Sequence, residues 1–88
     1  MTTQTATVVN ALGLHARAAA RFVKLAARFR SQVKVTRGSR TTDGKSILGL
    51  LLLAAARGSA LTVSAEGPDE AEAVAALCAL TARGFEDQ

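Results

Sequence analysis

The stretch NALGLHARAAARF, residues 10–22, holds the only histidine of the 88-residue chain. His15 follows a glycine at position 13 and stands where the sequence turns to helical spacing. Gly13 permits the backbone conformation that presents the ring outward. The first N–H groups of the helix that follows, those of Ala16 and Arg17, lack partners within the helix, and the helix start carries about half a positive charge. Arg17 adds a forked guanidinium suited to phosphate oxygens. A single histidine near a helix start is more often a surface or capping residue. These neighbours change that, because imidazole, helix start and arginine together describe a site that can hold a phosphoryl group on a ring nitrogen.

Other chemistries have weaker support. Residues 44–46, GKS, sit between a strand-like and a helix-like segment, as in a phosphate-cradling loop. Gly38, however, stands one residue too early for G-x-x-x-x-G-K-[ST], and Ser39 occupies the required position. The cradle depends on loop length, so nucleotide hydrolysis is not expected. His15 and Cys78, one of each type and 63 positions apart, do not make a zinc site. No metal and no cofactor are expected. Ser46 or Ser64 could serve a hydrolase only in a context that the sequence does not supply, since no G-x-S-x-G elbow is present.

The elements that must position His15 read as β-α-β-β-α-β-α. Residues 5–9 suggest a strand and 10–13 a turn. From Ala16 a helix is predicted, with Ala19, Phe22, Val23, Ala26 and Phe29 on its buried face. Arg17, Arg21, Lys24 and Arg28 form one basic stripe along it. Residues 32–36 alternate as a strand with Val33 and Val35 inward, and 41–43 suggest a poor edge strand. A second helix is predicted over 45–56, capped by Ser46, with Gly49 an awkward interior residue. Residues 60–65 form a strand with Leu61 and Val63 inward. The clearest helix spans 67–84, with Pro68 at its first position and Val74, Leu77, Cys78 and Thr81 inward. The end, FEDQ, reads as a frayed tail.

Composition bounds the class. The chain is long enough for one domain, 1–88, and 49% hydrophobic with 20% charged residues is a globular balance. Net charge is +4: ten bases and one acid lie between Arg17 and Arg57, six acids and one base from Glu66 onward. A basic front suits an anionic partner. One cysteine excludes an internal disulfide and suits a core position. The N-terminal segment shows no signal pattern. The longest apolar run, 47–56, is about half of a membrane span. A cytoplasmic protein without membrane insertion is expected.

At this point GLHARAAARFV (13–23) resembles the active-site signature of the HPr family, the histidine-containing phosphocarriers of the bacterial phosphoenolpyruvate-dependent sugar phosphotransferase system. GKSILGLLLLAAARGSALTVSAEG (44–67) resembles the family's second signature, around a regulatory serine. The resemblance covers nearly the whole chain. It implies an α+β fold, an open-faced β-sandwich with a four-stranded antiparallel sheet and three helices on one face. It implies that phosphorylated enzyme I passes its phosphoryl group to Nδ1 of His15, that Arg17 contacts that group, and that the A components of sugar permeases receive it. Ser46 matches the serine phosphorylated by HPr kinase/phosphorylase in some bacteria. Such a protein is a phosphoryl-transfer intermediate rather than a stand-alone catalyst. One departure stands out: Ala18 occupies the place of the family's usual proline. Alanine is a strong helix former, so the helix should survive.

The second helix is too apolar to bury all of itself. With Leu50 and Leu53 inward, Ile47, Leu48 and Leu51 should point outward as a docking patch, rimmed by Arg21, Lys24, Arg28 and Lys45. Phosphorylation of Ser46 would add roughly −1.5 to −2 charges beside that patch. A monomer is expected. The competing reading is a basic adaptor or regulatory module with no sugar-transport role, either a nitrogen-branch carrier or a module that binds nucleic acid or protein. An adaptor would leave the pairing of His15 with Arg17 unexplained. The scarcity of aromatics, three Phe in all, argues against nucleic acid as the partner.

Overall fold

The computed structural model describes residues 1–86. Its elements are β1 (Thr2–Thr7), α1 (Ala16–Ala26), β2 (Gln32–Arg37), β3 (Arg40–Asp43), α2 (Ile47–Leu52), β4 (Ala60–Glu66) and α3 (Glu70–Ala82), followed by a 3-10 turn at Gly84–Glu86. The strands form one sheet in the order β1-β4-β2-β3, with every neighbouring pair antiparallel. This is the open-faced arrangement that the resemblance implies.

Strand alternation sets the two faces. Val33, Val35, Leu61, Val63 and Ala65 are buried. The opposite face is polar: Thr3 donates to Ser64 (3.2 Å), and hydroxyl pairs link Thr5 with Thr62 (3.1 Å) and Thr36 with Thr41 (2.8 Å). The core is completed by Ala18, Ala19, Phe22 and Ala26 of α1, Leu50 of α2, and Val74, Leu77, Cys78 and Leu80 of α3. Val23 and Phe29, expected inside, are only partly buried against it. Ala18 is buried within an intact helix, so the missing proline leaves α1 whole.

Four expectations need correction. The first strand runs through Thr2–Thr7 rather than 5–9. Threonine suits a pleated surface as well as valine does, whereas Val8 turns into the core, its N–H donating to Ser59 O (2.9 Å) and its carbonyl accepting from Gly58 N (2.8 Å). The second helix is six residues long, not twelve. Ala54 adopts φ +52, and the Ala55 carbonyl accepts from Leu14 N (2.9 Å). Alanines of high helix propensity are drawn off to support the turn before His15. The carbonyls of Leu52 and Leu53, left open where α2 ends, accept from the guanidiniums of Arg40 (2.9 Å) and Arg37 (3.3 Å). The third helix begins at Glu70 with Asp69 as its cap, leaving Pro68 outside. Finally, Phe85 is fully buried, not frayed, and Arg21 holds its carbonyl (3.0 Å) and that of Glu86 (2.7 Å). The rest of that tail expectation, residues 87–88, lies outside the described residues.

Candidate functional site

The turn at 10–14 places His15. Gly13 has φ +67, and a side chain there would overlap the carbonyl oxygen of Ala55. Only glycine combines that backbone conformation with so close an approach. The Gly13 carbonyl gathers donors: Asn10 Nδ2 (2.8 Å), the His15 backbone N–H (2.9 Å) and His15 Nδ1 (3.1 Å). A carbonyl only accepts, so Nδ1 carries the proton when this last bond is made. Asn10 is buried. Spacing marks it as a turn residue but not as a support of the site. The signal that points to such a role is the preference of asparagine for bonding nearby backbone in turns.

His15 is the N-cap of α1, half-buried, with extended backbone and no capping bond from its side chain. The first turn of α1 holds no acidic residue. The first bond of the helix runs from Ala19 N to His15 O (2.8 Å). The N–H groups of residues 16–18 therefore precede the helical ladder and point toward the helix start. Ala16 and Arg17 are both exposed. His15 and Arg17 thus lie within one turn of the helix start, about 5 Å of rise. The arrangement can accept an anion and surround it with donors.

Ser46 is the N-cap of α2, as expected: its Oγ accepts from Gly49 N (3.0 Å). Gly49 fits inside this helix because a side chain there would overlap Thr42 Oγ1, so its absence lets α2 lie close to β3. The expected docking patch is partly revised. Ile47 (43% exposed) and Leu48 (68%) face outward, but Leu51 packs partly against the core and Leu52 (58%) takes its place. Helical spacing leaves Leu51 and Leu52 about equally far from the buried Leu50 and Leu53 direction. The packing of α1 against α2 decides between them.

The basic rim is revised further. Lys45 Nζ donates to Phe29 O (2.8 Å), so it ties the end of α1 to the start of α2. Arg21 is committed to the Phe85 and Glu86 carbonyls. Lys24 and Arg28 are exposed, but together with Arg21 they line a groove shared with α3. Leu25, beside the stripe, lies in the same groove. The stripe therefore opens on the α3 side of α1.

Comparisons with known proteins bear on the family and the fold. The family model described as "PTS HPr component phosphorylation site" matches residues 2–83. The phosphocarrier protein HPr of Cupriavidus necator is 53% identical over 79 residues, covering 90% of this chain and 89% of that protein. The crystal structure of HPr from Thermoanaerobacter tengcongensis superposes with a TM-score of 0.94 at 40% identity, covering 100% of this chain and 99% of that one. A chain from a structure of the HPr dimer of the same organism gives 0.78 at 40% identity, with 99% and 100% covered. Among the described residues no helix is long and apolar enough to cross a membrane. A polar helix start with one imidazole and one exposed arginine, on this fold and with these relatives, places the chain in the HPr family, as a phosphocarrier of the phosphotransferase system.

Proposed function

We propose that His15 is the residue that carries the phosphoryl group, taking it from phosphorylated enzyme I and handing it to the A component of a sugar permease. The observation that supports this best is the start of α1: an N-cap imidazole with no acidic residue in the following turn and an exposed Arg17 beside it. In the transfer, a lone pair on the ring nitrogen forms the N–P bond as the bond from phosphorus to enzyme I breaks. For Nδ1 to be the acceptor, it must give up the proton it shares with the Gly13 carbonyl, and the ring must turn from that oxygen toward the helix start. As Nδ1 loses that proton to solvent, Nε2 takes one up, so the ring stays neutral with its lone pair on Nδ1 and its single proton on Nε2. Arg17 and the N–H groups of Ala16 and Arg17 hold the phosphoryl oxygens.

Enzyme I docks on the apolar patch of Ile47, Leu48 and Leu52. Ser46, at the start of the patch-bearing helix, is the regulatory position, where HPr kinase/phosphorylase acts if the host has it. The carrier is read as a monomer, working in the cytoplasm as one domain. Incubation with phosphoenolpyruvate and enzyme I should add one acid-labile phosphoryl mass to the wild type and none to His15→Ala. An acid-labile gain in that variant would move the site elsewhere.

A further inference from the structure

The turn before α1 contains a buried polar side chain whose contacts reach the reacting ring. Asn10 is only 7% exposed, and burying a side-chain amide is costly unless its hydrogen bonds are met. Closing the turn does not require that amide, because Gly13 N already donates to Asn10 O (3.1 Å). In the turn bond usual for asparagine, the side-chain oxygen accepts from an N–H two residues on. Here the side-chain nitrogen donates, and its target is the Gly13 carbonyl, the same oxygen that holds the His15 ring. The residue is fixed from outside the turn as well. Val8 is bonded to Gly58 and Ser59, and Gly84 lies so close that a side chain there would meet Asn10 Cβ at 3.3 Å.

We propose that Asn10 is a positioning residue for phosphoryl acceptance, holding the Gly13 carbonyl so that the His15 ring can leave it. The inference rests on the reading of His15 Nδ1 as the acceptor atom. Three donors converge on one oxygen: Asn10 Nδ2 (2.8 Å), His15 N (2.9 Å) and His15 Nδ1 (3.1 Å). A carbonyl oxygen has two lone pairs, so the ring bond, the longest of the three, is the surplus one. When the ring turns toward the helix start, Asn10 and the His15 backbone N–H still fill both lone pairs. The departure therefore leaves no unmet acceptor behind. Competition from Asn10 also weakens the bond that keeps a proton on Nδ1. That favours the neutral tautomer with its proton on Nε2 and a lone pair on Nδ1, the form able to attack phosphorus. Without Asn10, only the two His15 donors would serve Gly13 O. The ring would then be needed to fill the second lone pair, and Nδ1 would hold its proton.

The test uses the full chain labelled with nitrogen-15, in solution alkaline enough to keep the ring neutral. The shifts of the two ring nitrogens report which one holds the proton, with no phosphoryl donor present. Asn10→Ala should move the tautomer ratio about fivefold toward Nδ1–H, the effect of one neutral hydrogen bond. Phosphoryl acceptance from phosphoenolpyruvate and enzyme I should slow by a similar factor in kcat. The KM for the carrier should not change, because the patch of Ile47, Leu48 and Leu52 is intact. The wild type supplies a second measurement that needs no variant. Once His15 is phosphorylated, the Asn10 side-chain amide protons should stay protected from exchange, because their bond to the carbonyl persists after the ring has left. Loss of that protection, or a wild-type tautomer ratio in folded Asn10→Ala, would overturn the proposal. So would a slower variant whose whole effect lies in KM. If Asn10→Ala does not fold, the amide protection decides alone. An unmoved tautomer ratio with the phosphoryl group on His15 removes this proposal and leaves the carrier reading standing. Phosphorylation of the wild type at another residue removes both.

Discussion

The starts of α1 and α3 present the same kind of helix end and use it in opposite ways. At α3 the chain supplies its own negative charge. Asp69 occupies the N-cap position without a capping bond from its side chain, Glu70 and Glu72 fill the first turn, and Glu70 Oε1 accepts from Gly67 N (3.2 Å). The Asp69 carboxylate also reaches across to the segment leading into β2, accepting from the Ser31 hydroxyl (2.5 Å), Ser31 N (3.0 Å) and Arg30 N (2.9 Å). At α1 there is no acid in the first turn, and the N-cap residue is a histidine rather than an acid. On the proposed function, one helix end serves structure and the other serves chemistry. Where the chain neutralises the end itself, the end becomes a joint between elements. Where it places a histidine and an arginine instead, the positive end suits an anion brought from outside.

Substitutions at four positions test this contrast. The largest effect should come from Arg17→Ala, which removes the side-chain donor at α1. Phosphoryl acceptance from enzyme I should fall about a hundredfold, and Arg17→Lys should recover only part of it, because a point charge does not reproduce the fork. Rapid-quench measurement of the phosphorylated fraction checks both. An Arg17→Ala rate near wild type would remove the arginine from the site.

Ala16→Glu makes the start of α1 resemble that of α3. Ala16 is exposed, so the change should be tolerated, and thermal melts should show about 0.5 kcal/mol of added stability. Phosphoryl acceptance should drop about tenfold, because the fixed charge opposes the incoming anion. More stability without slower transfer would mean that the helix start takes no part in binding the phosphoryl group.

Ser46→Asp tests the third helix start. Aspartate is as good an N-cap as serine, so the fold should hold while transfer from enzyme I slows about fivefold through added negative charge beside the patch. Unchanged kinetics in that variant would dissociate Ser46 from docking.

Asp69→Asn should leave transfer untouched and change the pH dependence of stability. Hydrogen bonds from the Ser31 hydroxyl and the Arg30 backbone hold the Asp69 carboxyl at about 2, against an ordinary 3.8. A depressed folded-state value means that the stabilisation is fully present above the ordinary carboxylate range and is lost as pH falls through about 2. Wild-type urea midpoints should therefore decline between about pH 4 and 2, and the variant should be flatter there and weaker at neutral pH. Glu70, also lowered by the Thr2 hydroxyl, the terminal ammonium and Gly67 N–H, keeps part of the acid sensitivity in both proteins. Parallel wild-type and variant profiles would show that the Ser31–Asp69 contact is incidental.

Much of the site is legible in the amino-acid order alone. His15, Arg17 and the glycine before them are near neighbours in the chain, and so is Ser46 with the N–H it caps; contacts at such short range leave a mark in spacing. Partners further apart leave none. Asn10 acts through the Gly13 carbonyl, and that carbonyl takes its position from a turn packed on Ala55, about forty residues away. Arg21 and Lys45 read as rim residues for a partner, yet both are tied to backbone carbonyls of distant segments. Leu51 and Leu52 trade places between patch and core because helical angle does not separate them.

Element order, the inward residues of β2, β4 and α3, and the local constellation at His15 all follow from sequence, because periodicity and short-range capping act within a few residues. Where α2 stops, that Phe85 joins the core, and which way the basic stripe faces follow only from tertiary structure. Each of these depends on a contact between distant segments: the Ala55 carbonyl with Leu14, Arg21 with the terminal turn, and α1 against α3. Local propensity, worth about tenths of a kcal/mol per residue, yields wherever such a contact competes with it.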